Sequence, residues 1–360
     1  MSRSLTSLAV ASTGLVLLAA CSTGPAGGGE TGGSGQGDAA GSTASGEPAG
    51  DQFPVTIEHA HGETTIEEDP QRVATVGWVD HDVMVSLGEL PVGATKISWG
   101  GNEQGSTDWF DQAVTEQGGD PAEIARYDDS DGIPVDEIAA VQPDLILGTN
   151  SGMTAEEYER LSKIAPTVAY PEVAWATPWR ESLQIVGQAL GRTAEAEQVL
   201  ADTEAAIEAA REEHPGLAGR TVAWTWFTPG DLSSIGLYTT QDLRPQISRE
   251  FGMEDAGIVT ELSEGNDSFS ATLSAERADE LDADLVFFWT EDEAQAEQIT
   301  SDTLLQQVPA FERGSYAVLT DQPLVTAITS PTPLSIPVVI EQFLPQAAEA
   351  ASQLEEGAER

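Results

Sequence analysis

The chain has 360 residues, 61 of them Asp or Glu against 15 Lys or Arg, giving a formal charge of −46. A surface so acidic excludes DNA, RNA and anionic membranes as partners held by charge, and favours cationic ligands instead. The acids are spread along the whole chain, which also fits solubility chemistry in a salty or alkaline medium, and the lone Cys21 leaves the folded part no disulfide, cysteine metal centre or thiol nucleophile.

At the N-terminus, Arg3 precedes an apolar run over 5–18 and small residues that end at Cys21. This is the layout of a signal peptide, so residues 1–20 are expected to be removed. The run is shorter than the roughly 20 residues a membrane span needs. Leu18-Ala19-Ala20-Cys21 resembles a bacterial lipobox, in which the cysteine takes a diacylglyceryl group. Two acyl chains anchor a protein stably, where one binds only marginally. Residues 21–50 carry Gly27-Gly28-Gly29 and Gly32-Gly33 among small polar residues, too little apolar surface to order, and read as a tether.

The folded part opens on two short β-type runs, 53–57 and 64–66, around His61-Gly62, the pattern of a hairpin. A strand over 72–77, a helix over 80–87 ending near Gly88, and a strand over 92–94 begin an α/β lobe. The polar, aperiodic stretch 98–131, holding Trp99, Trp109 and Phe110, reads mainly as a long loop of the kind that carries binding function. A short run over 133–135, a helix over 136–141 and a strand over 145–148 follow. The helix over 154–165 has Thr154 as its N-cap with Glu157 as capping-box partner, and a strand over 167–170 comes next.

From Pro178 to about residue 214 there is no internal proline before Pro215, and the spacing predicts one long helix, with Gly187 and Gly191 weakening it near 191. The second half repeats the grammar. Strands are expected over 221–227, 235–237, 285–288 and 317–319, and helices over 242–251, 274–280, 296–305 and 335–354. The fold expected is α/β: two α/β lobes, 51–177 and 215–356, joined by a single long helix over 178–214, with a ligand cleft between the lobes.

Pro70-Gln71-Arg72-Val73, Leu87-Gly88-Glu89-Leu90-Pro91-Val92-Gly93-Ala94 and Asp136-Glu137-Ile138, leading through Pro143-Asp144 into Leu145-Ile146, resemble the periplasmic-binding-protein family that serves iron-siderophore, haem and vitamin B12 importers. Leu273-Ser274-Ala275-Glu276 and Asp282-Ala283-Asp284-Leu285-Val286-Phe287 continue the likeness in the second half. The segment after Gly93 and Ala176-Thr177-Pro178-Trp179 look most like the iron-siderophore branch of actinobacterial lipoproteins. The resemblance implies a monomeric, non-enzymatic binding protein on the outer face of the cell membrane, held by its lipidated cysteine. It would hand a preformed ferric siderophore to an ABC permease with its cytoplasmic ATPase, and need no cofactor or metal site of its own. It also implies docking acids on each lobe: Glu156 and Glu157 on the first, and Asp292 and Glu293, with Glu291 beside them, on the second.

A ferric siderophore is bulky and already saturates its iron, so its receptor needs aromatic walls and a few charges. Trp78, Trp99, Trp175, Trp179, Trp226, Phe227, Tyr238 and Trp289 fall at predicted strand ends or beside the bridging helix and are the expected contacts. Trp224 and Trp226 share a strand face, and Trp226 stands nearer the carboxyl end. Arg244 could grip a carboxylate or catecholate oxygen, while Arg180 reads equally as a partner of surface acids. Because cationic residues do not cluster, a neutral or cationic hydroxamate complex is favoured over a trianionic catecholate.

Rival functions leave thinner traces. His59 and His61 sit in the hairpin and His214 at a helix end, too scattered for zinc or manganese. His81, beside Trp78, could touch ligand or take an axial position on haem, so a haem or cobalamin receptor of the same family stays open. A secreted carboxylate-dependent hydrolase needs only two acids at the right separation, but no nucleophile elbow, HExxH or phosphate loop accompanies them.

Overall fold

The computed structural model describes residues 53–266 and 268–358. The expected signal peptide, the lipidated Cys21 and the tether over 21–50 lie outside the described residues. No helix among the described residues is long and apolar enough to cross a membrane.

The chain begins with an antiparallel hairpin of β1 (Val55–His59) and β2 (Gly62–Ile66), turning on Gly62 at φ 126°. His61 fastens the turn to the first lobe by donating from Nε2 to the Met153 carbonyl at 2.8 Å. The first lobe is a parallel sheet of β3 (Val73–Thr75), β4 (Gly93–Thr95), β5 (Ala125–Tyr127), β6 (Leu145–Leu147) and β7 (Thr167–Val168), in the order β5-β4-β3-β6-β7. β3, β4 and β6 are buried at every position, as parallel strands covered on both faces must be.

The stretch expected as a long loop is more ordered than that. It holds helix Asp108–Glu116, capped by the Thr107 side chain, and the edge strand β5. Only Phe110 and Val114 of that helix are buried, too few apolar positions for a legible 3.6-residue period. The expected run at 133–135 instead leads into helix Val135–Ala140, with Pro134 at its cap. The capping box of helix Ala155–Leu161 forms as Thr154 and Glu157 predict.

The passage between lobes is two helices rather than one. Trp179–Ala189 packs on the first lobe, and Thr193–Glu213, 21 residues and about 30 Å long, carries the chain across. Gly191, at φ 62°, ends the first segment in a left-handed turn, and a Cβ on Gly187 would stand 2.6 Å from the Ala196 Cβ, so these glycines let the two helices fold against each other.

The second lobe is a mixed sheet ordered β11-β9-β8-β12-β13, built from β8 (Thr221–Thr228), β9 (Asp231–Tyr238), β11 (Ser270–Ser274), β12 (Leu285–Trp289) and β13 (Tyr316–Leu319). The short β10 (Glu254–Asp255) lies beside the start of β8. The closing helix is interrupted by a π turn at Val339–Phe343 before Leu344–Ala358. Pro345 has no N–H for the Glu341 carbonyl, which accounts for the wider turn. One apolar core runs through both lobes, from Val83, Leu145 and Leu183 to Val222, Phe287 and Phe343.

Candidate ligand-binding cleft

The carboxyl ends of the strands of both sheets meet between the lobes, where open α/β sheets bind ligands. Gly77, at φ 89°, ends β3 so close to the Asn150 backbone that no side chain fits, and the next residue, Trp78, is turned outward. Asn150 follows β6, and its Oδ1 accepts the Thr177 N–H at 3.3 Å, fixing the segment that carries Trp175. Trp175 is 41% exposed, an unusual state for so large an apolar ring.

Two adjoining pockets result. One, of about 300 Å³, lies between Trp78, Asn150 and Trp175 of the first lobe and Asp242, Leu243, Arg244, Phe269, Thr329 and Ser330 of the second. The other, of about 270 Å³, is walled by Trp99, Trp224, Trp226, Phe227, Tyr238 and Trp289, and Arg244 lines it too. Ring pairs stiffen these walls: Trp78 with Trp175 at 6.5 Å, Trp99 with Trp289 at 5.3 Å, and Trp226 with Tyr238 at 4.8 Å.

Arg244 is the polar centre of the cleft. Asp242 caps helix Leu243–Glu250, accepts the Arg244 backbone N–H, and takes Nη1 at 2.9 and 2.8 Å. The guanidinium lies 3.8 Å above the Tyr238 ring. Its Nε and Nη2 have no partner among the described residues and remain able to donate to a ligand oxygen. Among the described residues, Arg244 and Asp242 are the only charged side chains lining either pocket, so this lining is close to neutral in a very acidic protein.

Of the residues picked from sequence, Trp78, Trp99, Trp175, Trp226, Phe227, Tyr238, Arg244 and Trp289 come together here. His81 and Trp179 do not. Trp179, 4% exposed, is a core residue beneath the Arg180 guanidinium, which itself pairs with Glu204 and Glu250. His81 is sealed against Phe110 and Asp82, and burial, with the Arg126 charge, pushes its imidazole down to about 3. Both open a helix, and the sequence does not say which face of its first turn looks inward. Trp224 closes the second pocket from the core, donating from Nε1 to Ser248 Oγ at 2.8 Å.

Asn150, Asp242, Phe269 and Ser330 were not anticipated. Asn150 follows a strand and Asp242 opens a helix, so topology could have pointed to both; Phe269 and Ser330 sit on loops that no periodicity marks. At the expected docking positions, Glu157 is occupied by its capping box and by the Ile133 N–H, while Glu156 is exposed. Asp292 caps helix Glu293–Thr300, and Glu293 is exposed. Among the described residues, no group of His, Cys, Asp and Glu is arranged to hold a metal ion.

Two lobes sharing a common core, with an aromatic cleft between them, have the build of a solute-binding protein. Residues 73–323 match the periplasmic binding protein family, and the chain belongs to it. Among solved structures it is similar to PiaA of Streptococcus pneumoniae, determined in complex with ferrichrome, with 35% identity, 83% of this chain and 99% of that chain covered, and a TM-score of 0.77. A periplasmic solute binding protein of Mycobacterium smegmatis matches with 30% identity over 82% of this chain and 98% of its own, at a TM-score of 0.69. The probable siderophore-binding lipoprotein YfiY of Bacillus subtilis is 27% identical over 282 residues, 76% of this chain and 82% of that protein. These relatives are named as binding proteins, as is the family to which the chain belongs.

Proposed function

We propose that the protein is the extracytoplasmic receptor of an ABC importer and carries a preformed ferric siderophore of the hydroxamate type. The observation that carries the ligand class is the charge of the cleft's described lining: aromatic walls around one arginine already offset by Asp242. Hydroxamate groups neutralise ferric iron as they wrap it, so their complex enters such a cleft without an uncompensated charge. A ferric tris-catecholate keeps a large negative charge, which one half-neutralised guanidinium would not match. The likeness to PiaA, solved with ferrichrome, supports the same class. A haem receptor would want an axial ligand facing the cleft, and His81 is packed away from it.

Cys21 is the proposed lipid anchor, with 21–50 as the tether. Glu156 on the first lobe and Glu293 on the second, both exposed at helix starts, are the proposed permease contacts. The test is a tryptophan-fluorescence titration of the domain from Asp51 onward with ferric hydroxamate, catecholate and citrate-type complexes, haem and cobalamin, and the metal-free chelators as controls. Saturable quenching by ferric hydroxamates at submicromolar concentration is expected. Quenching by catecholates alone would remove the charge argument, and silence across the panel would remove the siderophore.

A further inference from the structure

We propose that Gly152 and Gly236 are positioning residues of the cleft, each a bare stretch of backbone on which one indole lies: Trp175 in the first lobe and Trp226 in the second. A Cβ added to Gly152 would stand 2.7 Å from Cε2 and 2.9 Å from Cζ2 of Trp175, closer than packed carbons come. A Cβ on Gly236 would overlap the Trp226 ring outright. Trp226 and Gly236 are direct cross-strand partners in the pairing of β8 with β9, so the ring folds flat over the neighbouring strand where a side chain would otherwise stand.

Neither glycine lies in the left-handed region, so the backbone makes no demand for glycine at either place. What each position does demand is room for an indole. Trp175 needs the support most, since two-fifths of it is exposed and its own backbone is left-handed, at φ 62°. Its N–H reaches the Ser151 carbonyl at 3.2 Å, the residue just before its seat. On the opposite wall the Trp226 ring in turn contacts Tyr238, over which Arg244 lies, so the seat at Gly236 sets the height of that stack.

The effect on affinity rests on the ligand reading above, whereas the seating of the rings does not. Gly152→Ala and Gly236→Ala, alone and combined with Trp175→Leu and Trp226→Leu respectively, are titrated with ferric ferrichrome and ferrioxamine B. Near-ultraviolet circular dichroism of each ligand-free protein and its thermal midpoint are recorded alongside. Each alanine is expected to weaken binding by about tenfold beside its tryptophan and by less than about twofold beside leucine, the scale of one lost aromatic contact. It should also change the aromatic dichroism only where the tryptophan is present. A single variant that fails to fold while its leucine double recovers the midpoint reports the same clash. Equal losses in both backgrounds, or no change in either, would overturn the proposal. Should the unaltered protein bind neither complex, the ligand reading falls, and the dichroism alone decides the seats.

Discussion

Arg244 shows how neighbours prepare a single residue for the ligand contact proposed above. Its Nη1 is committed to Asp242 and its plane to Tyr238, which leaves a rigid fork with two donors still available. Arg244→Ala should weaken ferric-hydroxamate binding by roughly 10- to 100-fold, the range of a charged hydrogen bond. Arg244→Lys should restore little, since a lysine can neither stack nor fork; recovery of full affinity by lysine would reduce the arginine to a point charge. Asp82 tests the interior instead. Burial pushes its carboxyl up to about 6, against bonds from Trp109 Nε1 and Thr332 Oγ1 and the charge of Arg126. A folded pKa above the unfolded one stabilises the fold fully below the unfolded value, and that contribution is lost as pH rises through about 6. His81 works in the other direction, so the informative quantity is the midpoint of Asp82→Asn minus that of the unaltered protein. This difference should grow more positive from pH 5 to pH 8, by about 2 °C or more. A difference that does not move with pH would mean that the folded carboxyl is already ionised throughout that range. The pairing of Asp82 with Thr332 joins residues from opposite lobes, and nothing in sequence spacing foretells it.

Elements with a strong local code were legible, and those held by tertiary contact alone were not. Helix Ala155–Leu161 announces itself through Thr154 and Glu157, and both bonds of the box form. β11 and helix Gln322–Thr329 were missed. β11 reads as Ser-Ala-Thr-Leu-Ser, with Leu273 its one fully buried position. The helix is capped by Asp321 and has a proline in second place, but its eight residues include few strong helix formers. The same helix Ala155–Leu161 separates structure from docking in two adjacent acids. Glu157→Ala removes the box and should cost about 1 kcal/mol of stability while leaving ligand affinity intact. Glu156→Lys should leave the midpoint and the affinity alone but abolish uptake in cells, because it would reverse the charge proposed to face the permease. Normal uptake with Glu156→Lys would move the docking surface elsewhere.

At the scale of the whole molecule the question is how far the lobes move. Two α/β lobes and a helical bridge could be read from the order of the elements, yet the reading of a lone bridging helix understated how firmly they are joined. One core passes from Val83 and Leu183 through Ile207 to Val222 and Phe343, so opening the lobes would expose packed apolar surface. Thr332 Oγ1 donates to Asp82 Oδ2 at 2.8 Å, Thr326 Oγ1 reaches the Trp99 carbonyl at 3.3 Å, and the Trp99 and Trp289 rings meet across the cleft. Large closures need a few loop residues free to absorb changes in dihedral angle. Here the passage is helical except at the Gly191 turn, and Arg192 beside that turn is held by the Glu89 carboxylate at 2.6 Å. Ligand should therefore alter the radius of gyration in solution by less than about 1 Å, with side chains in the cleft doing most of the adjusting. A larger contraction on adding a saturating ferric hydroxamate would mean that the shared core slides as lobes close. In that event Asp82→Ala, which cuts one of the cross-lobe bonds, would be expected to raise the affinity rather than leave it unchanged.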